Sequence, residues 1–592
     1  MATAKKQSLL NGALILSAAI VLVKILSVLF KLYVANRIGY GGTGLYATAY
    51  NIYTPIYSIA LAGLPTAVSK MVATEMAVGR FKDAKKLFGV SNLLFALTGL
   101  VGMALMLLLA YPFAQSVGSL DALPSIIAIA PSIFFCCVMS GYRGYYQGQR
   151  NMNPSAVSQI FEAAGKLIFG WLFLHMVLGS TLTFADRIPF LKDVVSDRGS
   201  AYASAAAVAG VSVGSLIGLL YLMLRRAVAK DAITRELLES SPEAQSRRKL
   251  AKRLIAIAIP IAVSSLVFNV TTLIDNWTIQ NRLKVVLEND YATVANMYPG
   301  IVAARGFTQD LAIDFKTYLY GAYDMVLEIK NVVPTFTITL GLSAIPVLSE
   351  DWTKKDMPGV RRSVETVIRL CMLVALPAGV GMMVLSEDLL YLLFGSSEIN
   401  APAIPYIAPI LMLYGFSVFF LALTQPLTSA LQAIDRMDVP IKSMLIGATV
   451  KVAANFILVS IPSVNIQGAV VGSILCNIVM VVYAMVVLAK ETQLKYHWGQ
   501  LFIRPFFCAV ISGAAGWLTN SIFEKTLPEG GLTFVSGFLS TANIACLAGV
   551  LAAVLFYVIA LFALRAITKD DILMLPKGRK IAKTLEKYGL IG

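Results

Sequence analysis

The chain has 592 residues, 57% of them hydrophobic and 14% charged, with a formal net charge of +16. Soluble domains carry roughly 25% charged residues, and here the apolar residues lie in blocks of bilayer-spanning length, which excludes a soluble globular fold. The six cysteines lie in or beside apolar stretches without metal-ligand spacing, and the two histidines, His175 and His497, have no second ligand within a helical turn. Neither a metal site nor a catalytic residue is expected.

A helix crosses the hydrocarbon with about 20 largely apolar residues. By that template, spans fall near 9–38, 46–76, 87–111, 122–146, 155–178, 201–224 and 254–280, then near 318–348, 364–385, 402–430, 439–461, 466–489, 501–523 and 538–564. The predicted fold class is an all-α membrane protein of about 14 transmembrane helices. The first apolar run continues to about Ile38 without a small-residue cleavage pattern, so it reads as a retained helix and not a signal peptide. Residues 281–316 are expected to form an extracellular hairpin or short helices.

Loop charge tests the count, because cytoplasmic loops collect Lys and Arg. With the N-terminus inside, the loops and termini assigned to the cytoplasm hold about 33 of the 49 Lys and Arg. The basic segment 225–253 and the tail 565–587 then both face the cytoplasm, and the predicted localisation is a bacterial cytoplasmic membrane. The positive charge is mostly a topology signal, and no nucleic-acid partner is expected.

Two internal matches point to duplication. The second and eighth spans end in GLPTAVSK and GLSAIPVLSE, each with a Gly-Leu start and a proline in the last turns. The fourth-to-fifth connection, YYQGQRNMNPSAVSQIFEAAGK, pairs with ALQAIDRMDVPIKSMLIGATVK between the tenth and eleventh spans. In both, a Gln (Gln147, Gln432) precedes an Arg and a helix-opening Pro, and a Lys (Lys166, Lys451) lies 19 residues beyond the Gln. The expected organisation is an N-lobe over 1–226, a basic linker over 227–253, a C-lobe over 254–490, and a last helix pair with a basic tail over 491–592.

The stretch SGYRGYYQGQRNMNPSAVSQIFEAAGKLIFG (140–170), with the first-helix pattern VKILSVLFKLYVANRIGYGGTGLYATAYNIY (23–53), resembles the polysaccharide-biosynthesis branch of the multidrug/oligosaccharidyl-lipid/polysaccharide exporter superfamily. Within that branch the likeness is to MurJ-like lipid II flippases and the stage V sporulation protein B type of Gram-positive bacteria. The resemblance implies two lobes around a central cavity, alternating access, and an undecaprenyl-diphosphate-linked saccharide as cargo. The chain departs from the Gram-negative pattern: Lys24 and Lys31 stand near two first-helix arginine positions, uncharged Thr54–Tyr57 occupies the second-helix one, and the eighth-helix one falls near Leu327.

Charges inside a span are costly and mark a cavity, an ion pair or a pathway. Lys24 and Lys31 are two helical turns apart on one face, and Arg37 extends the stripe, somewhat rotated. With Lys330, they are the candidate cavity cations, suited to a diphosphate crossing a low-dielectric region; snorkelling to the interface is the competing role. Glu328 and Lys330 are two apart and point to different sides. Asp275 and Glu328 are candidates for binding a coupling ion or balancing charge. Arg143, Gln147 and Arg150 lie at the cytoplasmic mouth, open to capping, lipid contact or gating. Glu162 and Lys166, at i and i+4, are expected to pair within their helix, and Lys451 and Arg369 to be buried cations. Tyr46, Tyr50, Tyr53 and Tyr57 share one helical face, suited to lining a cavity or to packing.

With no Walker-type glycine loop, no cofactor is expected, and the driving force would be membrane potential or a Na+/H+ gradient. The partners implied are the lipid-linked saccharide, membrane lipids and cell-wall synthesis proteins. The competing reading on the same scaffold is a cation-coupled multidrug exporter, which calls for an acidic cavity, whereas Lys and Arg outnumber Asp and Glu within these spans.

Overall fold

The computed structural model describes residues 9–61, 64–178, 199–228, 233–395, 397, 399–526 and 540–567. Gly63, residues 229–232 and the basic tail beyond 567 lie outside the described residues. All regular structure among those described is helical. The chain forms two compact units, Met1–Asn281 with Ile313–Gly321, and Arg282–Ala312 with Ala322–Gly592.

Unit 1 contains α1 (Leu9–Leu61), α2 (Leu64–Ala77), α3 (Phe81–Ser116), α4 (Leu123–Gly148), α5 (Asn153–Leu178), α6 (Gly199–Val228), the short α7 (Arg235–Glu239), and α8 (Arg247–Asn289) as far as Asn281. Its core gathers Leu87, Phe95, Ile129, Ile133, Val208 and Leu222 from α3, α4 and α6. The lobe boundary expected at 254 and the contact boundary at Asn281 fall at different places. Two contacts tie α8 to unit 1: Arg253 pairs with buried Glu75 at 2.5 Å, and Asn276 donates to Asn51 at 2.7 Å.

The predicted first and second spans are joined differently from expectation. Between the predicted spans 9–38 and 46–76 there is no loop but a single non-helical residue, Gly39 (φ 67, ψ 179), inside a helix that otherwise runs on to Leu61. That backbone region is open essentially to glycine alone, so one residue bends the helix where a loop was expected.

Unit 2 begins at the end of α8 and continues with α9 (Tyr291–Met297), α10 (Pro299–Arg305), α11 (Ala312–Lys330), α12 (Val332–Thr353), α13 (Met357–Val384), α14 (Ser386–Phe394), α15 (Ile404–Ala433), α16 (Asp438–Leu458), α17 (Gln467–Thr492), α18 (Arg504–Thr526) and α19 (Thr541–Ala563). The segment after the seventh predicted span therefore holds short helices. The eighth predicted span is not continuous: α11 ends at Lys330 and α12 starts at Val332. Pro334 explains the break, since its ring has no N–H to donate and crowds the carbonyl of residue 330.

Residues Ile313–Gly321 of α11 belong to unit 1. Lys316, fully buried, donates to the carbonyls of Val117 and Gly118 (2.6 and 3.3 Å) and to Ser119 Oγ (2.8 Å). A lysine at the carbonyl end of α3 meets the unpaired acceptors and the negative end of the helix dipole.

Eleven helices among the described residues are long and apolar enough to cross a membrane. The first two predicted spans fall into a single run, Leu22–Ala77. All six cysteines are free thiols, five of them buried; Cys508, for example, packs with Leu373 and Ala560.

Candidate functional site

The polar centre of unit 1 rests on close helix packing. Gly210, Gly214 and Gly218 recur every fourth residue on α6 and face α5. A Cβ on Gly210 would sit 2.4 Å from the Gly170 backbone, and one on Gly214 2.5 Å from the Glu162 carbonyl. Small residues at such spacing let membrane helices meet backbone to backbone. The family-like Tyr-Arg-Gly-Tyr-Tyr-Gln-Gly segment serves α4 likewise: Cβ atoms on Gly144 and Gly148 would crowd the Pro65 carbonyl (2.8 Å) and Val72 (2.6 Å) of α2.

On this frame, α5 presents Glu162 and Lys166. The expected intrahelical pair is not what forms. Arg143 of α4 donates through Nη2 to Glu162 Oε2 at 2.8 Å and through Nε to Ser158 Oγ at 2.9 Å, while Ser215 Oγ lies 3.5 Å from Glu162 Oε1. An exposed i,i+4 pair contributes about 0.2–0.5 kcal/mol, and a partly desolvated guanidinium with its donors in a fixed fork outcompetes it. Lys166 turns instead to aromatic faces. Its Nζ is 5.2 Å from the centre of the Phe30 ring and 5.7 Å from that of Tyr50, and donates to Tyr50 Oη at 3.4 Å. Cation–π contacts of this kind contribute about 0.5–2 kcal/mol, rising with desolvation.

The tyrosine row predicted on one face is a continuous ring ladder on α1. Tyr46 and Tyr50 stack at 4.8 Å, and Tyr50–Tyr53 and Tyr53–Tyr57 follow at 5.6 and 5.2 Å. The α1 cations lie earlier on the same helix. Lys24 is exposed, Lys31 half-buried, and Arg37 exposed with its guanidinium 5.8 Å from the Tyr33 ring centre. Asp275 is buried on α8, beside a chain of amides in which Asn276 donates to Asn51 and Asn51 to Tyr320 Oη at 2.6 Å. One turn on, Thr48 donates to Gln280 at 3.2 Å.

At the end of α4, Gln147 is half-buried and Arg150 exposed. Arg150 is left-handed (φ 58), with its N–H on Gln147 O and the next N–H on Tyr146 O, the two bonds that close a Schellman turn. Within unit 2, α15 ends in the same turn: Asp435 has φ 60 and bonds Gln432 O, and Arg436 N bonds Leu431 O. Gln147 and Gln432 thus hold the same place in two matching turns, and Lys166 and Lys451, each 19 residues on, are both half-buried.

Unit 2 holds a separate cation. Lys330 is buried, with Nζ 4.0 Å from the centre of the Tyr414 ring, and Tyr414 Oη donates to Tyr323 Oη at 2.8 Å. Glu328 is exposed, so the two residues point to different sides as their spacing predicts. Arg369 is also buried. The signal that sequence reading passed over is the every-fourth glycine pattern of α6, which marks α5 as the helix held closest and its Glu162 and Lys166 as positioned rather than incidental.

Helices of this length and apolarity, with positioned charges between them, define a multi-pass membrane protein. The polysaccharide biosynthesis protein family model matches residues 9–352, and the chain belongs to that family; the lipid II flippase MurJ model matches residues 331–538. The chain is 27% identical to stage V sporulation protein B of Bacillus subtilis (strain 168), over 96% of this chain and 98% of that protein. Among solved structures, it resembles lipid II flippase MurJ in an inward closed conformation (TM-score 0.57, 14% identity, 93% of this chain and 99% of that one). It also resembles an inward-facing multidrug resistance MATE family transporter of the MOP superfamily (TM-score 0.60, 13% identity, 80% and 96%). These two likenesses show the fold.

Proposed function

We propose that the protein is a flippase that moves a lipid-linked cell-wall precursor, lipid II or a similar undecaprenyl-diphosphate saccharide, across the bacterial cytoplasmic membrane by alternating access. The reading takes fourteen crossings with both termini inside, grouped as two six-helix lobes and a final pair, with membrane potential or a Na+/H+ gradient as the driving force. One observation carries it. The helix that bears Lys24, Lys31 and Arg37 also bears the tyrosine ladder, and Lys166 of the neighbouring α5 lies on that ladder at Tyr50. Cations beside aromatic faces suit a cargo that is a diphosphate at one end of its headgroup and a sugar at the other. Arg143 adds a guanidinium whose carboxylate partner a phosphate could replace. Lys330 is a further phosphate contact, Asp275 and Glu328 balance charge or bind the coupling ion, and Arg143, Gln147 and Arg150 form the cytoplasmic gate.

The test is binding of lipid II to the purified protein in nanodiscs, compared with Lys24→Ala, Lys31→Ala and Lys166→Ala. Loss of about tenfold or more in affinity per cation, the weight of one charge-assisted contact, supports the reading. Unchanged binding assigns those lysines to structure. No binding by the wild type, together with saturable uptake of a cationic drug, supports the exporter instead.

A further inference from the structure

Away from the tyrosine ladder, the N-terminal parts of α3 and α8 line an open cavity of about 490 Å³. Four cations line its mouth, Lys85 and Lys86 from α3 and Arg247 and Arg248 from α8, while Leu93 and Leu94 line its apolar side. Two nearby carboxylates are already committed: Asp83 accepts from the Gln245 N–H at 2.6 Å and pairs with Arg80, and Glu75 pairs with Arg253. No carboxylate among the described residues pairs with any of the four. Lys86 is fixed by donating to Gln245 O at 2.7 Å, and Lys82 holds the same strap through Ser241 O at 2.9 Å. One of the four cations, Lys86, is therefore tied to a strap that Lys82 also braces.

The cavity sits at a boundary. At 36 residues α3 is about 54 Å long, against about 30 Å of hydrocarbon, so its opening turns stand in the headgroup region. From the cavity an exposed apolar stripe runs down α3 through Leu93, Leu97, Leu100 and Val101, each at least half exposed. Spacings of four and three keep these residues on one face.

We propose that this cavity binds the phosphate headgroup of an anionic membrane lipid, whose acyl chains descend along the α3 stripe. The loop-charge topology puts the site in the cytoplasmic leaflet, where basic pockets between helices suit such headgroups. Free phosphate shares the headgroup chemistry but makes no use of the apolar side or of the stripe beneath it.

The experiment measures lipid retained by the purified full-length chain, using native mass spectrometry with phosphatidylglycerol, phosphatidylcholine or inorganic phosphate. Three proteins are compared: wild type, a Lys85→Gln/Arg247→Gln/Arg248→Gln variant, and Gly89→Met. Gly89 lines the cavity, and a Cβ there meets nothing within 4 Å, so the methionine fills space without strain. Wild type should prefer phosphatidylglycerol to phosphatidylcholine. The triple variant should lose that preference by about a hundredfold, the weight of three interfacial cations, and Gly89→Met should weaken binding at unchanged charge and melting temperature. Equal retention of the two lipids, or undiminished binding by both variants, overturns the proposal. So does displacement of phosphatidylglycerol by millimolar inorganic phosphate, which would make this a soluble-anion site.

Discussion

At Glu162 two cations compete for one carboxylate, and the one from another helix wins. Its pairing with Arg143 at 2.8 Å involves side chains 15% and 29% exposed, between the surface regime, where a pair contributes under about 1 kcal/mol, and the buried one, where breaking it costs about 3–5 kcal/mol. Glu162→Gln should therefore destabilise the protein by about 2 kcal/mol in a detergent melt. Adding Arg143→Gln should recover part of that loss, because the double variant no longer strands a charge. A strictly additive double variant would mean the pair contributes nothing. Spacing alone pointed to Lys166, since the i,i+4 rule sees only neighbours on one helix; Arg143 is 19 residues upstream, and no local pattern brings it there. Lys330 and Glu328 are the opposite case: helical geometry sends residues two apart to different sides, and the burial of one with exposure of the other follows.

The glycine pattern of α6 acts at the scale of the element. Gly214 lets α6 reach the α5 backbone at Glu162 and Lys166, and a larger residue must push the helices apart. Gly214→Val should cost about 1–3 kcal/mol and, by displacing α5, weaken lipid II binding even though residue 214 is not among the proposed binding residues. Gly89→Val, where a Cβ meets open space, is the matched control and should leave the melting temperature unchanged. Equal effects of the two would show that helix propensity, not the α5–α6 approach, sets the result. The existence of most helices is legible in the sequence because apolar blocks of about 20 residues have few other uses. Their joints are less so. Gly39 reads as a turn signal, yet a single residue outside helical φ/ψ suffices for a bend, and hydropathy does not distinguish bend from loop. Pro334 lies inside an apolar block that averages as one span, whereas the missing N–H divides it into α11 and α12.

For the molecule as a whole, loop charge and helix geometry bear on the same question, which ends of the helices share a side of the membrane. In the proposed scheme, fourteen crossings from an inside N-terminus would alternate the loops, placing residues near 78, 239, 354 and 495 in the cytoplasm and those near 116, 305 and 463 outside. The matching turns at Arg150 and Asp435 fit that scheme, since two copies of one bundle inserted in the same sense would bring both turns to the same side. The six native cysteines lie in or beside helices and five are buried, which makes a cysteine-free background with single exposed replacements practical. Val78→Cys, Glu239→Cys and Lys495→Cys should react with an impermeant maleimide only after the membrane is opened. Ser116→Cys, Arg305→Cys and Ser463→Cys should react in intact cells. Because a helix too many or too few inverts every loop after it, the residue at which accessibility first departs from this alternation would identify the segment that does not cross. The predicted seventh span alone separates position 239 from position 305 in this scheme, so Arg305→Cys is the first of these labels to change side if that segment does not cross.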